Sequence, residues 1–258
     1  MPKTLKRSHQ IGFTVAGIGL ALVFFSCWYL EISPMDLLLS FPDFISFFTA
    51  NFLPPNFSDW QEFLPSVLDT FFFAIVATYI STFFAMFFGL MMSELVNPFK
   101  PLRVVFRGIV SFFRNIPVMI WASLLVYAFG VGELVGLIAL VIATIGFLSR
   151  SYADSISELD KSNLEALKAC GASPLQVLWH GTLVLFKPSF INWTLYCFEL
   201  NIRSSTILGM VGAGGIGVLI QTNIKLFRYE TAFGIILIVI VMVLCSELLT
   251  NKIRERIH

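Results

Sequence analysis

Apolar residues run along this chain in blocks much longer than those of an ordinary globular domain. A helix that crosses a bilayer needs about 20 mostly apolar residues, because its backbone N–H and C=O groups must pair internally where no water is present. Ile11 to Leu30 and Thr70 to Met92 are free of charge and long enough alone. Ile116 to Ser149 is one apolar stretch interrupted only by Gly130, Gly132 and Glu133, which predicts two helices joined by a tight hairpin. Ser189 to about Leu208 is apolar apart from Glu199 and Arg203, and Thr231 to Ser246 is a last block rich in Ile and Val. The pattern predicts an all-α, polytopic integral membrane protein with about six transmembrane helices in a single domain over residues 1–258.

Composition agrees with the pattern. Of 258 residues, 57% are hydrophobic and 13% charged, against about 25% charged in a soluble domain. The mean hydropathy is +0.84. Such a chain cannot cover a compact globule with polar surface, which excludes a soluble enzyme, a disordered chain and a nucleic-acid binder. Net charge is only +1, so the information lies in where the charges sit. Lys and Arg accumulate on the cytoplasmic side of a membrane. With the N-terminus inside, the inner segments hold Lys3, Lys6 and Arg7, then Lys100, Arg103, Arg107 and Arg114, then Arg150, Lys161, Lys168 and Lys187, then Lys252, Arg254 and Arg256. Only Arg203, Lys225 and Arg228 fall elsewhere, and the stretch from Glu31 to Pro65 carries five acids and no base. Both termini are expected in the cytoplasm. The first block is too long for a cleavable signal core and no A-x-A site follows it, so it is expected to remain as a helix. After it, Phe44, Phe47 and Phe48 at helical spacing, closed by Pro54-Pro55, suggest a segment lying along the membrane surface.

The inner segment from about 150 to 187 is locally well ordered. Ser162-Asn163-Leu164-Glu165 fits a capping box, in which hydroxyl and carboxylate satisfy the free N–H groups of a starting helix. That helix runs through Ala166, Leu167, Lys168 and Ala169, and Gly171 supplies the left-handed residue that ends it. Ser173-Pro174-Leu175-Gln176 repeats the start signal. Two short helices meeting at a glycine bend are implied, either as a handle for another protein or as a plain capped loop.

The fifth block carries the candidate path. Glu199 and Arg203 are four residues apart, share a helix face and can pair. They are either a self-neutralising structural pair or a place where Arg203, with Ser204 and Ser205 beside it, eases an anion across. Gly209, Gly212, Gly214, Gly215 and Gly217 follow, and the run contains G-x-G-x-x-G. A dinucleotide site needs that motif in a βαβ unit, for which there is no room. The glycines either break the helix at membrane depth or form a close-packing face. No G-x-x-x-x-G-K-[ST] motif occurs, so the chain has no P-loop of its own. His9, His180 and His258 are far apart, the four cysteines have no C-x-x-C spacing, and no G-x-S-x-G elbow or carboxylate pair is present around Asp69.

Glu165-Ala166-Leu167 followed by Gly171 resembles the EAA signature of permease subunits of ABC importers, although Gly181, Thr182, Leu183 and Val184 stand where the family continues I-x-L-P. Asn115-Ile116-Pro117, Gly171-Ala172-Ser173, Phe198 to Ser205 and Gly209 to Gly217 resemble the phosphonate-type subgroup in order and spacing. The resemblance implies a type I ABC importer fold and a non-catalytic subunit of the bacterial inner membrane. It makes Glu165, Ala166, Leu167, Lys168, Gly171, Ala172 and Ser173 the loop that docks on the ATPase. Partners implied are a second copy of the chain, two ATPase subunits that bind ATP and Mg, and an extracytoplasmic solute-binding protein. Phosphonate is the implied cargo, with phosphite or methionine as alternatives. From the residues alone, a self-sufficient secondary transporter or channel with a broken fifth helix stays open.

Overall fold

The computed structural model describes residues 3–256; the side chains of residues 3–11, Pro34, Leu37 and Lys161, together with His258, lie outside the described residues. Every regular element described is a helix. The chain divides into two compact units, Met1–Leu53 and Pro54–His258. The first holds α1 (Lys3–Tyr29), α2 (Pro34–Leu39) and α3 (Phe41–Phe52). Over Gly12–Tyr29, α1 is apolar enough to cross a membrane and buries none of its residues. A Ser33 hydroxyl that accepts the Asp36 N–H starts α2.

The second unit holds α4 (Trp60–Met92), α5 (Lys100–Asn115), α6 (Val118–Phe129), α7 (Glu133–Ser157), α8 (Lys161–Ala169), α9 (Pro174–Val177), a π turn (Leu178–Thr182), α10 (Leu183–Met210), α11 (Ile216–Lys225) and α12 (Tyr229–Arg254). Among the described residues four helices are long and apolar enough to cross a membrane, namely α1, α4, α7 and α12. The expected hairpin is present, but its first half is only 12 residues, about 18 Å, against a hydrocarbon core of about 30 Å. The helix before it, the amphipathic and basic α5, turns 85° away at the Ile116–Pro117 break, and α6 counts as a fifth candidate span only when taken together with it. Proline causes the break, because its ring pushes Ile116 out of helical geometry to φ −94° and ψ 118°. The block around Glu199 forms α10, 28 residues long yet interrupted by Lys187, Glu199 and Arg203, and it is not among the four. The six expected spans are therefore four unbroken apolar helices, one bent pair and one long charged helix. Asp69 is exposed nine residues inside α4.

Small residues hold α4 against α7. On α4, Ala74, Ala77, Ser81, Ala85 and Gly89 form a buried stripe at helical spacing. On α7, Gly136, Ala139, Ser149 and Ala153 are buried. Stripes of this kind allow backbones to approach closely where lipid removes any hydrophobic drive between helices. A Cβ on Gly89 would lie 2.9 Å from the Tyr152 Cβ, and one on Gly146 only 2.7 Å from the Arg114 backbone nitrogen. Tyr152 is fully buried there and its hydroxyl shares a 2.6 Å hydrogen bond with Thr194 of α10.

Gly89→Ala and Gly146→Ala are each expected to destabilise the fold by about 1–3 kcal/mol, because neither neighbour is a flexible side-chain end. Gly108→Ala on α5, where a Cβ meets nothing within 4 Å, is expected to leave stability unchanged or raise it. Thermal melting of the purified protein in detergent measures all three; equal melting of Gly89→Ala and Gly108→Ala would contradict the close α4–α7 contact.

Candidate coupling loop and translocation path

The loop expected to couple the chain to a partner is built from local signals. Asp160 caps α8: its carboxylate accepts the Ser162 N–H at 2.9 Å and the Ser162 hydroxyl at 2.7 Å. Those bonds, the hydroxyl's first, hold the Asp160 carboxyl below its usual range, so the cap is intact at neutral pH and weakens as acid protonates it. The expected Ser162–Glu165 box is therefore replaced by a cap two residues earlier, and Ser162 sits in the first turn as a donor. At the other end Gly171 adopts φ +82°, its N–H bonds to the Lys168 carbonyl at 2.9 Å, and the Ala172 N–H bonds to the Leu167 carbonyl at 3.1 Å. That is a Schellman ending, and the left-handed residue in it favours glycine. The second box forms as expected: the Ser173 N–H bonds to Gln176 Oε1 at 2.8 Å, and the Gln176 N–H returns to Ser173 Oγ at 3.4 Å.

From this box the chain enters the membrane helix without a loop. A single π turn joins α9 to α10, and α8 packs on that turn: a Cβ on Gly181 would meet Leu164 and Leu167 side chains at 2.8 Å. Leu164 is buried, whereas Glu165, Ala166, Lys168, Gly171 and Ser173 are exposed and Ala172 is half-buried. Leu175 is 68% and Trp179 64% exposed beside them. The loop thus presents an exposed outer face on a pair of helices that continue into α10 through the π turn.

Asn201, which the sequence shows only as a polar interruption, fixes the rotation of α10. Its Oδ1 accepts the Thr144 hydroxyl of α7 at 2.8 Å, and its Nδ2 donates to the Thr78 hydroxyl of α4 at 2.9 Å. Around it Ser205 is buried and Ser204 half-buried. Glu199 does not pair with Arg203. Its buried carboxylate takes Arg254 of α12 at 2.7 Å, and the Thr250 hydroxyl donates to the same oxygen. Spacing along one helix could not show that competitor, 55 residues away. Arg203 itself is exposed and has no ion-pair partner among the described residues.

The glycine run both ends the helix and packs closely. Helix α10 stops at Met210, and Gly212, Gly214 and Gly215 take φ of +92°, +85° and +73° to turn the chain. The next helix then packs straight back, so that a Cβ on Gly209 would lie 2.7 Å from the Gly217 Cα, and one on Gly217 would strike the Thr206 carbonyl. The turn is anchored to α4, where the Thr70 hydroxyl accepts the Ile216 N–H at 2.9 Å in a buried position. Gly214 rests on Glu133, with 2.6 Å from an added Cβ to its Cγ.

Two cavities flank α10. One, of about 140 Å³, lies between α6, α7 and α10, with Thr144, Asn201 and Ser204 as its polar lining. The other, of about 800 Å³, lies between α4 and α10 and is lined mainly by Phe83, Phe87, Phe190, Phe198 and other apolar side chains, with a few hydroxyls and no charged residue.

Residues 81–258 match the model of the binding-protein-dependent transport system inner membrane component, and the chain belongs to that family. It is 29% identical to the phosphite transport system permease protein of Stutzerimonas stutzeri over 96% of this chain and 89% of the relative. It is 32% identical to the phosphate-import permease protein of Mycolicibacterium smegmatis over 97% of this chain, which spans 48% of that longer protein. In fold it is similar to a chain of a methionine ABC transporter solved in inward-facing conformations, with a TM-score of 0.68 over 76% of this chain and 96% of that one, at 18% identity. The chain is thus a multi-pass membrane component of an importer with a type I ABC permease fold.

Gly171→Pro is expected to abolish transport while leaving insertion intact. Proline cannot adopt φ +82° and has no N–H for the Lys168 carbonyl. Gly171→Ala is expected to cost about 1–2 kcal/mol locally, from the left-handed backbone rather than from crowding. Uptake by cells, normalised to the amount of protein in the membrane, measures both; normal uptake by Gly171→Pro would contradict the bend's role.

Proposed function

We propose that two copies of this chain form the membrane pathway of an ATP-driven importer for phosphorus oxyanions. Two ATPase subunits, which bind ATP and Mg, dock on the α8–α9 pair of each copy, and an extracytoplasmic binding protein delivers the solute. The chain itself is non-catalytic, both termini lie in the cytoplasm, and 1–258 acts as one permease. The observation that carries this reading is the uncovered outer face of α8–α9 on helices that run without a loop into α10. Closure of the ATPases would push that pair and turn α10, rocking the two copies between outward and inward openings.

Arg203 supports the anionic cargo. A charge inside the membrane with no partner costs several kcal/mol against lipid, so its exposed face belongs on a water-filled path or a copy-to-copy interface. There the cation lowers the barrier for a tetrahedral oxyanion, the chemistry that the phosphite and phosphate relatives share in name. The 140 Å³ cavity with Thr144, Asn201 and Ser204 lies on the adjoining side of the same helix.

Proteoliposomes containing the permease, its ATPase and its binding protein are expected to take up phosphite, phosphate or methylphosphonate only with ATP. Uptake from an ion gradient by this chain alone would contradict the reading. Arg203→Ala is expected to lower uptake about tenfold, the loss of roughly 1.4 kcal/mol of favourable charge. Unchanged kinetics in that variant would remove Arg203 from the path.

A further inference from the structure

Glu199 and Arg203 stand four residues apart on α10, a spacing that brings Cβ atoms of a helix within about 5–6 Å and favours an ion pair between them. That pair does not form. The Glu199 carboxylate, 7% exposed, is held instead by two donors from the last turns of α12, the Arg254 guanidinium and the Thr250 hydroxyl. Asn251 in turn accepts from Arg254 at 3.0 Å and steadies it. The competition has a physical outcome. A buried carboxylate must be matched by close donors, and α12 offers it two that converge on one oxygen. Arg203 could supply only a guanidinium that would first have to leave its exposed position.

We propose that Arg254 is a positioning residue for the solute path: by occupying Glu199 it keeps the Arg203 guanidinium free for the anion. This rests on the reading of Arg203 as part of the path. Without Arg254, the nearest cation along α10 for the stranded carboxylate is Arg203. The two would close on each other, and the path would lose its positive charge at the cost of substrate affinity. The last helix of the chain thus sets the charge state of the pathway without touching the solute.

The test is a rescue. In the complete transporter with its ATPase and binding protein, uptake is measured with phosphite, phosphate and methylphosphonate as probes. Arg254→Met is expected to raise KM about fivefold or more, the lower end of coupling between linked sites, with a smaller effect on kcat. Adding Glu199→Gln to it removes the competing carboxylate, and Glu199→Gln/Arg254→Met is expected to return KM to within about twofold of the parent, below that coupling range. If the double variant keeps the raised KM, or Arg254→Met leaves KM unchanged, Arg254 only packs α12 and the proposal is overturned. If Arg254→Met does not accumulate in the membrane, Arg254→Gln, which keeps hydrogen-bond donors, takes its place with the same two outcomes. Arg203→Ala separates the levels. Normal kinetics there sink the reading of the path itself, whereas impaired Arg203→Ala with no rescue by Glu199→Gln sinks only the role of Arg254.

Discussion

The rotation of α10 about its own axis is the constraint on which the site depends, and the amide of Asn201 sets it. In a membrane-spanning bundle a buried carboxamide without partners is costly, so its hydrogen bonds to Thr144 and Thr78 tie α10 to α7 and α4 in one orientation. That orientation turns Glu199 toward α12, leaves Arg203 exposed, and sets Gly209 against Gly217. The bonds also join α10 to two helices packed on each other through small residues. Close backbone approach at Gly89, and of α5 to α7 at Gly146, makes that pair a firm support.

Force applied at the loop therefore has a defined route. Helix α8 is clamped on the π turn by Leu164 and Leu167, α9 is closed by its own capping box, and the turn leads directly into α10. A flexible linker anywhere in this series would absorb motion. Capping bonds at both ends of the Gly171 bend leave it little freedom to do so. π turns inside helices mark functional positions in many proteins, and this one lies where the α8–α9 pair runs into α10.

What was legible in the sequence was chiefly local. The Gly171 ending and the Ser173–Gln176 box follow from residues within a few positions, and both formed as expected. The start of α8 was misplaced because Asp160-Lys161-Ser162-Asn163 offers several capping residues in a row, and only geometry selects Asp160. Hydropathy located the apolar blocks but not the 85° turn at Pro117, since average apolarity carries no direction. The block that forms α10 was legible as a span despite its charges, although Lys187, Glu199 and Arg203 keep the helix out of the four that pass on length and apolarity. Partners distant in sequence were illegible: nothing near Glu199 announces Arg254, and nothing near Asn201 announces Thr78, 123 residues before it.

Labelling of Cys170, the exposed residue between α8 and Gly171, tests the central claim most directly. In a variant lacking Cys27, Cys197 and Cys245, a membrane-impermeant thiol reagent should modify Cys170 from the cytoplasmic face alone, and a docked ATPase subunit should slow that reaction. Modification from the outer face, or a rate indifferent to the ATPase, would contradict a loop that receives the partner's motion.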